Sequence, residues 1–151
     1  MACINSQEQQ QHMYKSKIFL VISLLLWLSV VYADTLLDAT TSWDGGEIYY
    51  PEGKAEVTSF ILKLEEGKEV PYHCHPVPTM AYVLKGDIEV ETANGDKTVL
   101  KEGHSTIEVM KTMHRGMAVG GPAEIIVFYA GAEGVPNTIM MDDERAEEYC
   151  H

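Results

Sequence analysis

The sequence predicts an all-β domain, a sandwich or barrel of short strands. Runs of β-branched and apolar residues recur along the chain, each closed by Gly, Asn, Asp or Pro. No internal repeat, low-complexity tract or long amphipathic helix interrupts them before the C-terminal tail. At least seven such runs fall between residues 56 and 131, a density of turns that suits two packed sheets or a closed barrel.

Taken in chain order, the first element is not part of that domain. Residues 18–31 are almost unbroken apolar, preceded by Lys15 and Lys17 and followed by Val31-Tyr32-Ala33. A basic flank, a short apolar centre and small residues at the cleavage positions predict a signal peptide cut after Ala33, hence an exported protein, periplasmic or secreted. The run of about 14 residues is shorter than the roughly 20 of a comfortable membrane span. A retained anchor over residues 18–31 is the alternative, and Met13 would start such a signal better than Met1. Residues 34–55 form an N-terminal segment expected to pack on the barrel. Within it Thr40 to Gly46 is a polar loop whose Trp43 plugs the barrel or shields its mouth.

Strands are predicted at Glu56–Leu64, Thr79–Lys85, Asp87–Thr92, Lys97–Lys101, Ser105–Met110, Arg115–Val119 and Glu124–Ala130. Ala93-Asn94-Gly95-Asp96 joins two of them, and Asn-Gly between apolar runs is a strong hairpin signal. Gly86-Asp87, Gly120-Gly121-Pro122 and the stretch from Gly131 to Pro136 read as turns. The acidic tail, residues 132–151, carries Asp142-Asp143-Glu144 and Glu147-Glu148, which suit the start of a short helix. After export the domain's 9 Lys and Arg against 22 Asp and Glu leave a net charge of −13. Such a surface repels nucleic acid and anionic lipid. Cys74 and Cys150 remain once Cys3 is removed; pairing them in an oxidising compartment requires the tail to reach the sheet.

His73-Cys74-His75, followed by His114, predicts a metal site. Residues i and i+2 of a strand share a face, with Cα atoms roughly 6.5 Å apart, so two imidazoles can close on one ion while His114 arrives from a neighbouring strand. Imidazole suits iron, manganese, nickel, copper and zinc alike, so a divalent transition metal is expected without a choice among them. If His75 faces inward, the period of two places Thr79, Ala81 and Val83 inward and Met80, Tyr82 and Leu84 outward. Both faces are then apolar. The outer one needs a cover: the N-terminal segment, a second subunit in a homodimer, or the facing sheet of a closed sandwich. By the same alternation Ile107 and Val109 take the core side and send Glu108 outward, so Glu108 reaches the metal only in the opposite phase. Thr79, Tyr72 and Tyr82 are further candidates to line a pocket, and His104, after a turn glycine, is expected at the surface.

Gly67, five residues, His73, one residue, His75, three residues, Thr79, six residues and Gly86 resemble the first cupin motif, with Thr79 where that motif has Glu. Gly103, five residues, Val109, one residue, Lys111, two residues, His114, three residues and Ala118 resemble the second, with Val109, Lys111 and Ala118 in place of Pro, Gly and Asn. The resemblance, over residues 56–131, is to small exported single-domain cupins and implies a jelly-roll barrel, the double-stranded β-helix. It also implies His73, His75 and His114 as metal ligands. With the motif carboxylate missing, the face of three histidines is similar to that of cupin-type diketone, flavonol and thiol dioxygenases, in which an enolate, carboxylate or thiolate would supply the absent negative charge. Two functions follow as expectations: a mononuclear non-haem metal oxygenase acting on a small anionic or thiol substrate, or a non-catalytic exported domain that binds a small molecule or a metal.

Overall fold

The computed structural model describes residues 10–15 and 31–150. The chain divides into two compact units, Met1–Asp34 and Thr35–His151. Most of the expected signal segment, including residues 18–30 of its apolar run, lies outside the described residues. Among those described, no helix is long and apolar enough to cross a membrane.

The second unit is all-β, as the sequence predicts. Its strands are β1 (Ala55–Leu64), β2 (Glu69–Cys74), β3 (Thr79–Thr92), β4 (Lys97–Leu100), β5 (Ser105–Ile107), β6 (His114–Ala132) and β7 (Ile139–Met140), followed by a short helix α1 (Ala146–Tyr149). The hydrogen-bonded order is β4-β3-β6-β2-β7, with β1 added to β6 and β5 to β3. Every one of these pairings is antiparallel.

Two of the predicted turns are bends inside long strands. Thr79–Lys85 and Asp87–Thr92 join into β3, and Arg115–Val119 and Glu124–Ala130 join into β6. The first half of β6 pairs with the second half of β3 and with β2; its second half pairs with the first half of β3 and with β1. Each long strand therefore serves both halves of a rolled sheet, and the bends bring its two ends around one interior. The register of β3 slips around Lys85–Asp87. There Gly86 adopts φ 74°, and a Cβ on it would run into the Pro122 carbonyl on β6. Only glycine satisfies both the left-handed backbone and the close approach.

The interior is filled by alternate residues of these strands: Ala81, Val83, Ile88 and Val90 from β3 against Ala118, Ile125, Val127 and Tyr129 from β6. Thr79, Ala81 and Val83 face inward as expected. Of the outer residues, Met80 lies in a cleft beside Leu37, Ile48 and Tyr49 of the N-terminal segment, while Leu84 remains 39% exposed. Trp43 packs against the core from the side, its backbone N–H donating to Ile107 O at 3.1 Å. The tail does reach the sheet. β7 pairs with β2 at His73 and Cys74, and Cys74 and Cys150 form a disulfide with their Cα atoms 6.1 Å apart.

Candidate metal centre

His73 lies near the end of β2, directly opposite His114 at the start of β6. His75 follows where the chain has left β2 for an isolated parallel bridge with Met110, and Lys111 N–H donates to its carbonyl at 2.9 Å. Lys111 stands where the second motif has glycine, and it keeps the left-handed backbone, φ 59°. The turn that delivers His114 is thus retained at a residue for which that conformation costs about 1 kcal/mol. All three imidazoles are buried. Their ring centroids stand 4.5 to 5.0 Å apart.

Their tautomers follow from their partners. His73 Nδ1 lies 2.7 Å from Pro71 O, His75 Nδ1 2.9 Å from Asn137 O and His114 Nδ1 2.8 Å from Thr112 O. A carbonyl can only accept, so each Nδ1 carries the proton and donates. In the neutral ring each Nε2 is then left with a lone pair aimed inward.

The fourth member is Glu108. Its Oε2 lies 3.1 Å from His75 Nε2 and 3.2 Å from His114 Nε2, and one ligand atom from each of the four residues falls within 4.8 Å of every other. This overturns the expected outward orientation, and β5 shows why. Ala81 pairs with Thr106 and Met80 with Ile107, so Thr106 and Glu108 share the inner side with Ala81. Ile107 faces out beside Met80. Its apolar character serves the cleft under Leu37 and Ile48 rather than the core.

The other candidates fall elsewhere. Thr79, in the motif's carboxylate position, is fully buried and its hydroxyl donates to Val77 O at 3.1 Å. It does not line the cavity at the histidines. Neither does Tyr72, whose ring packs 5.0 Å beneath the Arg115 guanidinium, nor Tyr82. His104 is exposed. Tyr129, Thr138 and Met140, none of them expected from sequence, do line it. The Tyr129 hydroxyl is 3.0 Å from Thr138 Oγ1, which is itself 3.4 Å from His75 Nδ1. Burial raises the Tyr129 phenol above its ordinary range and keeps it protonated.

The electrostatics of the cluster are those of a cation site. His73 is held down at about 4, by burial first and then by the neighbouring His75 and His114. For Glu108, burial opposes ionisation, but hydrogen bonds with His114 and His75 outweigh it and keep the carboxyl well below the usual range. Those bonds need a proton on an inward Nε2. Three imidazole lone pairs and a carboxylate oxygen converge, and a proton or a metal ion must lie among them. One carboxylate and three imidazoles fit a divalent transition metal in donor type and number, and the backbone carbonyls behind the rings fix their orientation. The finding replaces the expected carboxylate-free face with a set of three histidines and one glutamate, whose acid comes from the residue that follows β5.

Residues 60–129 match the family model described as cupin domain. No curated protein matches the chain. Among solved structures, the DMSP lyase DddQ from Ruegeria pomeroyi is similar at 17% identity and TM-score 0.50, over 58% of this chain and 44% of that one. The chain therefore spans less than half the length of that relative. An uncharacterised double-stranded β-helix protein from Klebsiella pneumoniae aligns at 22% identity and TM-score 0.47, over 57% of this chain and 84% of that one. An oxalate oxidase aligns at 21% identity and TM-score 0.48, over 56% and 46% of the two chains.

Proposed function

We propose, for a chain that carries a cupin domain over residues 60–129, that His73, His75, His114 and Glu108 hold one divalent transition metal and that the site acts on a small anionic or thiol substrate as a mononuclear oxygenase. The observation that carries the reading is the convergence of four acceptors, each imidazole oriented by a backbone carbonyl. When bound, the metal would supply a Lewis-acidic, redox-capable centre in the wall of a largely apolar cavity. The chain's own residues do the rest. Pro71, Asn137 and Thr112 carbonyls hold the rings; Glu108 lowers the charge of the set by one; the β3 and β6 side chains exclude bulk water; and the neutral Tyr129 phenol can present a proton near the site. Export is part of the proposal and is supported by the disulfide, a bond that persists in oxidising compartments.

The second reading, a non-catalytic binding domain, is favoured by one observation: among the described residues, and apart from the four candidate ligands, the only hydroxyl groups lining the cavity belong to Tyr129 and Thr138. Metal analysis of the native protein, followed by oxygen-uptake assays over small carboxylates, diketones and thiols, separates the two. One equivalent of metal and turnover are expected. Metal without oxygen consumption leaves the binding domain. Stoichiometric metal retained by a His73→Ala/His75→Ala/His114→Ala variant overturns the metal site on which the oxygenase reading rests.

A further inference from the structure

We propose that the cavity selects a small monoanion with an apolar body, of the class of branched short-chain monocarboxylates, and rejects dianions with the same number of carbons. The inference rests on the metal reading above and adds the substrate class. The cavity behind the histidines has a volume of about 140 Å³, close to the roughly 150 Å³ of a dry apolar cavity that accepts benzene. Its occupant is therefore limited to a handful of heavy atoms.

The polar side chains of the lining form one connected cluster, the four candidate ligands with the Tyr129 and Thr138 hydroxyls. Much of the remaining lining is aliphatic: Leu62, Ile88, Val90, Leu100, Ile125 and Val127. Among the described residues, no Lys or Arg lines the cavity. Arg115, next to His114 in sequence, is taken up instead by Glu91 at 2.9 Å and Glu69 at 3.0 Å. Charge then decides the class. A divalent ion with neutral imidazoles and the Glu108 carboxylate leaves one positive charge, which one anionic group neutralises. A second carboxylate would have to lie against aliphatic walls with no donor and no cation, and a buried charge without a partner is strongly disfavoured. An apolar tail gains what the second charge loses, because it displaces water from these walls. At the histidine end the Tyr129 and Thr138 hydroxyls flank the head group.

The native protein is loaded with cobalt(II), its metal content is measured, and acetate, isovalerate and glutarate are titrated by calorimetry and by the visible absorption of the ion. Isovalerate is expected to bind at least tenfold more tightly than acetate, which lacks the tail, and at least tenfold more tightly than glutarate, which has the same number of carbons and a second charge. Leu100→Phe, which intrudes on the cavity from a half-buried position, should reduce the advantage of isovalerate over acetate while acetate affinity holds. Glutarate binding as tightly as isovalerate, or isovalerate no tighter than acetate, overturns the inference and leaves the metal site standing. Failure to take up cobalt sinks the metal reading first and this inference with it.

Discussion

A carboxylate buried against three inward imidazole lone pairs is stable only while a positive species lies between them, so Glu108 and the histidines stand or fall as a set. Glu108→Gln keeps the shape and removes the charge. It is expected to weaken metal affinity at least tenfold, as measured by competition with a chelator, with little loss of fold because the amide N–H can donate to the Nε2 lone pairs of His75 and His114. The same cluster predicts acid lability of the metal-free protein. His73 titrates at about 4 in the fold and near 6.5 unfolded, so between those values the unfolded chain binds a proton that the folded one refuses. Stability is intact above pH 6.5 and falls by about 3 kcal/mol as pH drops to 4. Glu108, with its carboxyl lowered, adds to the loss below its unfolded value. Melting temperature against pH should show this slope, and His73→Asn should flatten it. The histidines were legible in the sequence because their spacing alone puts two rings on one face. Glu108 was not, because its side depends on strand register: Met80 points outward and pairs with Ile107, and that pairing, absent from any single strand's alternation, turns Glu108 inward.

Among the elements, the least regular ones finish the site. β7 is two residues long, yet the segment around it brings Asn137 O to His75, places Thr138 and Met140 in the cavity wall, and pairs with β2 at His73 and Cys74. Nothing in the pattern of Thr138-Ile139-Met140 announces a strand, since two residues carry no period. The long strands were only half legible for a related reason: glycines at 86, 120 and 121 mark real bends, but a bend inside a paired strand and a turn between two strands share the same residues. The disulfide holds the tail segment down. It joins the residue between two candidate ligands to the end of the chain, 76 positions away, a loop for which cross-linking restricts the unfolded chain by on the order of 4 kcal/mol. Cys150→Ser is therefore expected to lower the melting temperature and to speed metal release to a chelator, because His75 loses its firmly placed carbonyl. Metal release at the unmodified rate from a destabilised Cys150→Ser protein would show that the tail supports the fold and not the site.

At the scale of the whole molecule, two proposals concern what surrounds the domain. The boundary between the two compact units falls at Asp34 and Thr35, beside the predicted cut after Ala33, and mass spectrometry of the native protein should find Asp34 at its N-terminus. The other concerns the outer face of the sheet formed by β1, β6 and β3. Inward Val127, Ile125 and Ala81 alternate with residues that point away from the core, and pairing sets these in rows: Ile61 with Ile126 and Tyr82, then Ser59 with Phe128 and Met80, then Val57 with Ala130. The N-terminal segment lies beside Met80, where Leu37, Ile48 and Tyr49 line a cleft with it. Val57 remains 59% and Ile61 52% exposed. A chain as acidic as this one repels copies of itself over most of its surface, but these rows carry no carboxylate. They are where a second copy could bury apolar area without bringing like charges together. We propose that they form a homodimer interface about a two-fold axis. Light scattering at micromolar concentration should give twice the monomer mass. Tyr82→Asp, which would place an unpaired charge within the patch, should give the monomer while metal content is unchanged. A monomeric native protein would mean that this face is simply exposed, and a dimer indifferent to Tyr82→Asp would move the interface elsewhere.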